Sequence, residues 1–382
     1  MNRCLMIANT SWYLFNFHQG LILDLQEAGW EVETVAPEDD YTVKLQAISQ
    51  RHHTLHMHRR GGNPLKDLIA CRELFCLFRQ RQPQAVLNFT PKPNVYGTLA
   101  AHWLDIPAIN NITGLGTLFA EPTMMNRVAQ FLFRISQPKA HHVLFQNQDD
   151  RTLFIDRGYV AADKTSRIPG SGIDLNRFIP TEAPNDGIVR FILVARMLRM
   201  KGVEEFVEAA RQLKAERTDV EFLLLGHVDA GSANSISESQ IKAWHKEGVI
   251  NYLGGVSNVA PKIAQADCVV LPSYYREGVP RSLLEAAAMA KPIITTDTVG
   301  CRDAVDHGLT GLICQPRNAQ SLKDALTEIA NMSHIERIAL GQAGRIKMQK
   351  SFDVNRVIKA YINLLAPLKE SPVLDTLITD TK

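Results

Sequence analysis

Cys268-Val-Val-Leu-Pro-Ser-Tyr-Tyr-Arg-Glu-Gly-Val-Pro-Arg-Ser-Leu-Leu-Glu285 joins an apolar run to a turn and then to an amphipathic start. Cys268–Leu271 reads as a buried strand, Gly278-Val-Pro280 as a turn, and 281–290 as a helix. Pro280 suits a first helical position, where its missing N–H costs nothing. The backbone N–H groups around 279–283 are then expected to point at one spot, a seat for an anion such as a phosphate. Glu277 would stand beside that anion, with Glu285 about 7 Å away along the axis at about 1.5 Å rise per residue. A sugar on one side of a diphosphate and a ribose on the other fit this spacing. So does an ordinary strand–loop–helix junction with two surface acids.

The same strand-and-helix alternation extends in both directions. Val189–Ala195, Val220–Leu225, Ile250–Leu253, Pro292–Thr295 and Gly311–Cys314 read as further strands, with helices at Val203–Glu216, Val259–Ala266 and Ser321–Ala330. Upstream, Cys4–Ala8, Glu31–Val35, Ala85–Phe89, Ala108–Ile112 and His142–Gln146 are strand candidates, and Gly20–Ala28 and Leu65–Arg79 look helical. Such alternation predicts an α/β protein of two doubly wound, Rossmann-like domains. The polar, two-proline stretch Phe178–Gly187 reads as a linker. The expected division is 1–180, then 187–350, then 351–382 with an amphipathic helix at Asp353–Leu365 and a mobile tail from Lys369. Sheets of this kind bind ligands at the carboxyl ends of their strands, an edge that becomes the cleft between two such domains.

A chain of 382 residues has room for two cores, and 45% hydrophobic with 21% charged residues is ordinary globular composition. Six scattered cysteines without a Cys-x-x-Cys suggest reduced, structural thiols and a cytosolic setting. No signal-peptide pattern opens the chain and no apolar stretch approaches 18 residues, so no membrane span is expected. Between Tyr41 and Ala100, nine Lys/Arg face two acids, a local charge of +7 in a chain whose net charge is +2. His52, His53, His56 and His58 read as part of that basic surface rather than a zinc site. No Asp-x-Asp follows a strand, and neither a metal nor a cofactor is expected. Nucleic-acid binding has no recognisable module or aromatic interleaving behind it.

Four features of the second half converge. The strand ending at Ala195 delivers Arg196, and Lys201 follows at a helix opening; two cations there can neutralise a diphosphate leaving group without a metal, or be two solvated side chains. Glu277 and Glu285 are the second feature. Gly254-Gly255-Val256 offers bare backbone that a base can approach. Thr295-Thr-Asp297 with Gly300-Cys-Arg-Asp303 supplies a loop near the same edge.

In these motifs the chain resembles the retaining glycosyltransferases of family 4, which have the GT-B fold. The motifs are Ala195-Arg-x-x-x-x-Lys-Gly202, Glu277-x7-Glu285, Gly300-x-x-Asp303 and Gly308-Leu-Thr-Gly311. Ile168-Pro-Gly-Ser-Gly-Ile-Asp-Leu-Asn-Arg-Phe178 extends the similarity over nearly the whole chain. The wording of 275–286 and 297–303 is similar to that of a bacterial subgroup extending undecaprenyl-diphosphate-linked sugars, including N-acetylgalactosaminyl transfer to diacetylbacillosamine in protein glycosylation. The resemblance implies that Arg196 and Lys201 hold the donor diphosphate and that Glu277 contacts the transferred sugar, with the Gly278 and Val279 backbone beside it. It implies that Glu285 accepts from the ribose hydroxyls, that the donor is UDP-linked, and that the C-terminal helix crosses back to the first domain. Two departures stand out. Asn9-Thr-Ser-Trp-Tyr13 replaces a common glycine pair, and Asn110-Asn-Ile-Thr-Gly-Leu-Gly116 lacks the common His or Asp.

The implied reaction is a retaining, metal-independent transfer of a hexose or N-acetylhexosamine to a polyprenyl-diphosphate-linked saccharide, in polysaccharide or protein glycan assembly. The first domain would hold the acceptor, with Lys92 a phosphate contact and Thr113, Gly114 and Gly116 lining the cleft. Its positive charge suits lipid phosphates and the inner face of the cytoplasmic membrane, where the protein is expected to be peripheral. Leu118–Ile135 reads either as a basic amphipathic helix at the membrane interface or as a core helix. A UDP-sugar 2-epimerase or hydrolase on the same fold, or a non-catalytic glycan-binding protein, are the other readings.

Overall fold

The computed structural model describes residues 2–57, 64–116, 118–119 and 123–369. They form two compact units: one from the described residues of Met1–Thr113, Leu118–Ile168 and Asn355–Lys382, the other from those of Gly114–Thr117 and Pro169–Val354. His58, Arg59, Arg60 and the tail beyond Lys369 lie outside the described residues.

The first unit has a seven-stranded sheet of β1 (Arg3–Ile7), β2 (Glu31–Ala36), β3 (Arg51–Thr54), β4 (Ala85–Asn88), β5 (Ala108–Ile112), β6 (His142–Phe145) and β7 (Thr165–Arg167). Their order is β3-β2-β1-β4-β5-β6-β7, and every pair is parallel. Helices cover both faces, so inner strands such as β1 are buried along nearly their whole length. Leu5, Ile7, Val35, Leu74, Phe78 and Val86 form one of its cores. The edge strands β3 and β7 read Arg-His-His-Thr and Thr-Ser-Arg, with none of the apolar content by which strands are recognised. The first helix runs from Ser11 to Glu27, well ahead of the expected Gly20, because the Thr10 side chain accepts the Tyr13 N–H at 3.1 Å and caps it.

A buried amide network ties the carboxyl ends of β4 and β5. Asn88 donates to Asn110 Oδ1 at 2.9 Å, and Asn110 donates to Gln137 Oε1 at 2.9 Å. Asn111 extends it by donating to the hydroxyl of Tyr361 at 2.9 Å. Tyr361 is fully buried and 5.8 Å from the Phe89 ring, so the Val354–Leu365 helix belongs to the first unit, as the crossing-back expectation required.

Two further expectations change. The helix expected over 118–135 runs Met124–Ser136, with Thr123 as its cap. Only Asn126, Phe133 and Ser136 are buried, while Met124, Met125, Val128, Phe131 and Ile135 face solvent, so its apolar stripe is not core-facing. The described histidines of the cluster, His52, His53 and His56, do not make one basic surface either. His52 pairs with Thr34, His53 with Glu33 at 2.6 Å, and His56 with Glu73 at 3.0 Å.

The second unit has a six-stranded parallel sheet of β8 (Val189–Val194), β9 (Val220–Leu225), β10 (Asn251–Tyr252), β11 (Cys268–Leu271), β12 (Ile293–Thr296) and β13 (Gly311–Cys314), ordered β10-β9-β8-β11-β12-β13. One core packs Phe191, Phe206, Phe222 and Leu326 on one face; another packs Ile192, Val269, Leu283 and Leu284. The order reverses between β8 and β11, which places a ligand crevice at their carboxyl ends.

Glu33 generates a testable electrostatic feature in the first sheet. It is fully buried; burial pushes its carboxyl up, but hydrogen bonds from Arg81 and His53 outweigh this and hold it below the usual range. Its contribution is complete above the ordinary carboxylate pKa, about 4.3, and is lost as pH falls through the depressed value. Glu33→Ala is expected to cost about 3 kcal/mol in urea unfolding at pH 7. Glu33→Gln is expected to flatten the loss of stability that the wild type shows in acid below about pH 4.

Candidate functional site

The loops that follow β8 and β11 meet at the reversal point. The β8 loop passes Arg196 and ends in a short turn, Arg199–Lys201, ahead of the Val203–Glu216 helix. The β11 loop carries Ser273, Tyr275 and Glu277 before the Arg281–Ala288 helix. Lys201 Nζ forms an ion pair with Glu277 Oε1, and their side chains are 14% and 12% exposed. Ser273 Oγ lies 3.0 Å from the same carboxylate oxygen and 3.1 Å from the Met200 carbonyl, joining the two loops. At this burial the attraction is weakly screened, yet most of it offsets the cost of taking both charges from water.

Tyr275 lies beside the pair, with Lys201 Nζ 5.8 Å from its ring centre. Burial pushes its hydroxyl up, Glu277 adds to the shift, and Arg196 opposes it, which places Arg196 within electrostatic reach of the group. Arg196 itself donates to Asp229 at 3.0 Å and is half exposed, so that pair is a weak tether worth at most about 1 kcal/mol.

The peptide linking Glu277 to Gly278 is clamped between two glycines. Gly300, at φ +84°, lies against it so closely that an added Cβ would collide with the Gly278 carbonyl. Gly114, at φ +106°, approaches from another direction, and its Cβ would meet the Gly278 nitrogen and stand 2.6 Å from the Glu277 carbonyl carbon. Both conformations are ones that L side chains avoid, so both positions need glycine twice over. Gly116 donates to the Arg276 carbonyl at 2.9 Å and lies against the Tyr275 ring. The Glu277 N–H donates to Val299 at 3.2 Å, and Thr298 Oγ1 to the Ser273 carbonyl at 3.1 Å, so the loop after β12 holds the site as well.

Pro280 is not the first helical residue. It stands before the helix in an extended conformation (ψ 123°), and the Leu283 N–H, one of the expected anion donors, closes onto its carbonyl at 3.1 Å. The helix ends at Ala288 rather than Ala290, where the chain turns left-handed (φ 56°). Glu285 is 13% exposed and accepts from Arg281 Nε at 3.1 Å. Burial pushes its carboxyl up, against the opposing charges of Arg281 and Arg177. Val279 is buried against Gly170. Gly255 lies against the His227 ring, and Val256 packs on the second unit's core.

In the first unit, Lys92 opens the Pro91–His102 helix and donates to Asp67 at 2.6 Å, where Tyr96 also donates at 3.1 Å. Thr113 is half-buried after β5. Thus Lys201, Glu277, Gly278, Gly114 and Gly116 gather around one peptide with Arg196 in reach, while Lys92 is committed to a neighbouring acid. Ser273, Tyr275, Arg281, His227 and Asp229 were not anticipated. Arg281 was legible from its four-residue offset to Glu285. His227 and Asp229 come from the β9 loop, and no local spacing connects them to the rest. Among the described residues no group of three His, Cys, Asp or Glu is placed to hold a metal ion, and no helix is long and apolar enough to cross a membrane.

Comparisons with known proteins bear on the family and the fold. Residues 176–347 match the family model "Glycosyl transferases group 1", and residues 18–170 match "Glycosyl transferase 4-like domain". The chain is 26% identical over 368 residues to the N,N'-diacetylbacillosaminyl-diphospho-undecaprenol alpha-1,3-N-acetylgalactosaminyltransferase of Campylobacter jejuni, covering 92% of this chain and 95% of that protein. It is 22% identical over 285 residues to the UDP-Gal:alpha-D-GlcNAc-diphosphoundecaprenol alpha-1,3-galactosyltransferase of Escherichia coli, covering 71% and 73%. Among solved structures, sucrose-phosphate synthase from Thermosynechococcus elongatus superposes with a TM-score of 0.81 at 18% identity, over 97% of this chain and 99% of that one. At that identity the likeness speaks for the fold, which is GT-B.

The glycine clamp is directly testable. Gly300→Ala is expected to lower unfolding stability by at least about 2 kcal/mol, from the backbone strain and the collision together. Gly308→Ala, also at positive φ but with open space around it, carries the strain alone and is expected to cost less in the same urea titration.

Proposed function

We propose, from the matches of residues 176–347 and 18–170 to glycosyl transferase models, that the chain is a glycosyl transferase that moves a hexose or N-acetylhexosamine from a UDP-sugar to an undecaprenyl-diphosphate-linked saccharide. The transfer retains the anomeric configuration and uses no metal. The observation that carries this reading is the Lys201–Glu277 pair at the reversal of strand order, with Arg196 in reach and Glu285 eight residues on, in the following helix. The names of two relatives support the acceptor class, and one of them specifies UDP-galactose as donor.

In the resting site Lys201 already has an anionic partner. Donor binding exchanges Glu277 for a diphosphate oxygen at Lys201 and turns the Glu277 carboxylate toward the hydroxyls of the sugar. Arg196, on its weak tether, swings from Asp229 onto the same diphosphate. Glu285, held through one oxygen by Arg281, presents the other to the ribose. As the bond from the anomeric carbon to the phosphate oxygen breaks, negative charge grows on the leaving phosphate beside two cations, and no metal is needed to absorb it. The acceptor hydroxyl oxygen bonds to the anomeric carbon on the face the phosphate leaves. Its proton passes to a leaving phosphate oxygen, so no separate base is required. Lys92, Thr113, Gly114 and Gly116 are assigned to the acceptor side, and the reaction to the inner face of the cytoplasmic membrane.

Purified protein, a panel of UDP-, GDP- and dTDP-sugars and undecaprenyl-diphosphate-linked monosaccharides, read by mass spectrometry, test this assignment. Lipid-linked disaccharide is expected from a UDP-sugar, undiminished by EDTA. Donor consumed at the same rate without acceptor would instead mark an epimerase or hydrolase. Lys201→Ala and Glu277→Ala are each expected to lower turnover by at least about a hundredfold, and near-wild-type turnover in either would remove the assignment.

A further inference from the structure

Among its described residues the first unit carries exposed apolar side chains on two helices. On the Met124–Ser136 helix, Met124, Val128, Phe131 and Ile135 recur at steps of four, three and four residues, so they form one stripe, and all are exposed, Met124 by 77%. On the Pro64–Arg81 helix, Leu65, Leu68 and Ile69 form a second exposed stripe. The Pro91–His102 helix packs against both, and Trp103 at its end is 61% exposed. Between Leu68, Cys71, Arg72, Phe75 and Trp103 lies an open groove of about 390 Å³. Exposed apolar stripes on two helices that share a packing partner, one of them lining a groove, mark an interaction site.

Charge selects among the possible occupants. Lys66, Arg72, Arg127 and Arg134 are exposed on the same two helices. The acids there are Asp67, buried and paired with Lys92, and Glu73, paired with His56; the Met124–Ser136 helix has none. Two copies of such a face would bring like charges together. An anionic bilayer complements it on both counts, taking the apolar side chains below the headgroups and the cations among the phosphates. Tryptophan at the rim suits the same boundary.

We propose that the Pro64–Arg81 and Met124–Ser136 helices, with Trp103 between them, form the surface by which this protein docks on an anionic lipid bilayer, the groove receiving a hydrocarbon chain. The choice of a lipid partner rests in part on the lipid-linked acceptor of the preceding subsection, whereas the location of the surface does not.

Co-sedimentation of the full chain with vesicles of phosphatidylcholine alone, or of equal parts phosphatidylcholine and phosphatidylglycerol, tests this. Binding is expected to the anionic vesicles and to weaken with salt. Leu68→Ser/Phe131→Ser is expected to weaken it at least about tenfold, the scale set by the apolar area withdrawn. Arg127→Gln/Arg134→Gln is expected to reduce both the binding and its salt dependence. Ile335→Ser, at an exposed apolar residue of the second unit, is expected to leave binding unchanged. Because the substituted residues are exposed, the thermal midpoint should not move. Undiminished binding by Leu68→Ser/Phe131→Ser, or an equal loss in Ile335→Ser, overturns the proposal. So does a wild-type dimer that this double variant converts to monomer, since the face would then cover a second copy. The vesicle readout needs no sugar, so docking without transfer activity counts against the proposed reaction and leaves this surface standing.

Discussion

The position of one peptide bond, between Glu277 and Gly278, is the constraint from which the rest of the site follows. In the proposed reaction the Glu277 carboxylate is aimed at a sugar, and its backbone is held by close packing rather than by regular secondary structure. Gly300 and Gly114 press on it where no Cβ fits, the Val299 carbonyl takes the Glu277 N–H, and Arg276 is fixed by Gly116. Lys201 and Ser273 complete the surroundings of the Glu277 side chain. Glycine at both positions lets the backbone adopt positive φ and pack this closely without a steric penalty.

The parallel sheet explains why the charges meet there. In a doubly wound sheet the chain leaves β8 toward one side and returns for β11 from the other, so the loops after these neighbouring strands diverge and leave a crevice. Arg196 and Lys201 come from one loop and Glu277 from the other. Neither loop alone brings a cation to a carboxylate. In the proposed reaction the resting ion pair keeps both charges partnered until a diphosphate replaces one of them, which avoids leaving either charge buried and unpaired. Arg196, exposed and loosely tethered, has the freedom to follow the ligand.

Much of this was legible in the amino-acid order, for identifiable reasons. Inner strands such as β8 and β11 are buried on both faces and read as apolar runs, and the Gly-Val-Pro turn separates Glu277 from its helix. Lys201 and Glu277 carry family wording. Edge strands β3 and β7 were illegible because an edge strand half in water needs no apolar run. Pro280 was placed one position too far into the helix, since a proline suits either side of that boundary. The amphipathic 124–136 segment left two readings open because periodicity reports an apolar stripe and not what it faces. The partners Asp229 and His227 depend on the β9 loop arriving beside β8, a fact of topology that no local spacing encodes.

A crystal structure of the protein with UDP bound decides whether the proposed exchange of partners at Lys201 occurs. A diphosphate oxygen is expected within about 3 Å of Lys201 Nζ, with the Lys201–Glu277 contact opened, Arg196 released from Asp229, and a ribose hydroxyl on Glu285. UDP seated elsewhere, or bound with the Lys201–Glu277 pair intact, would contradict it.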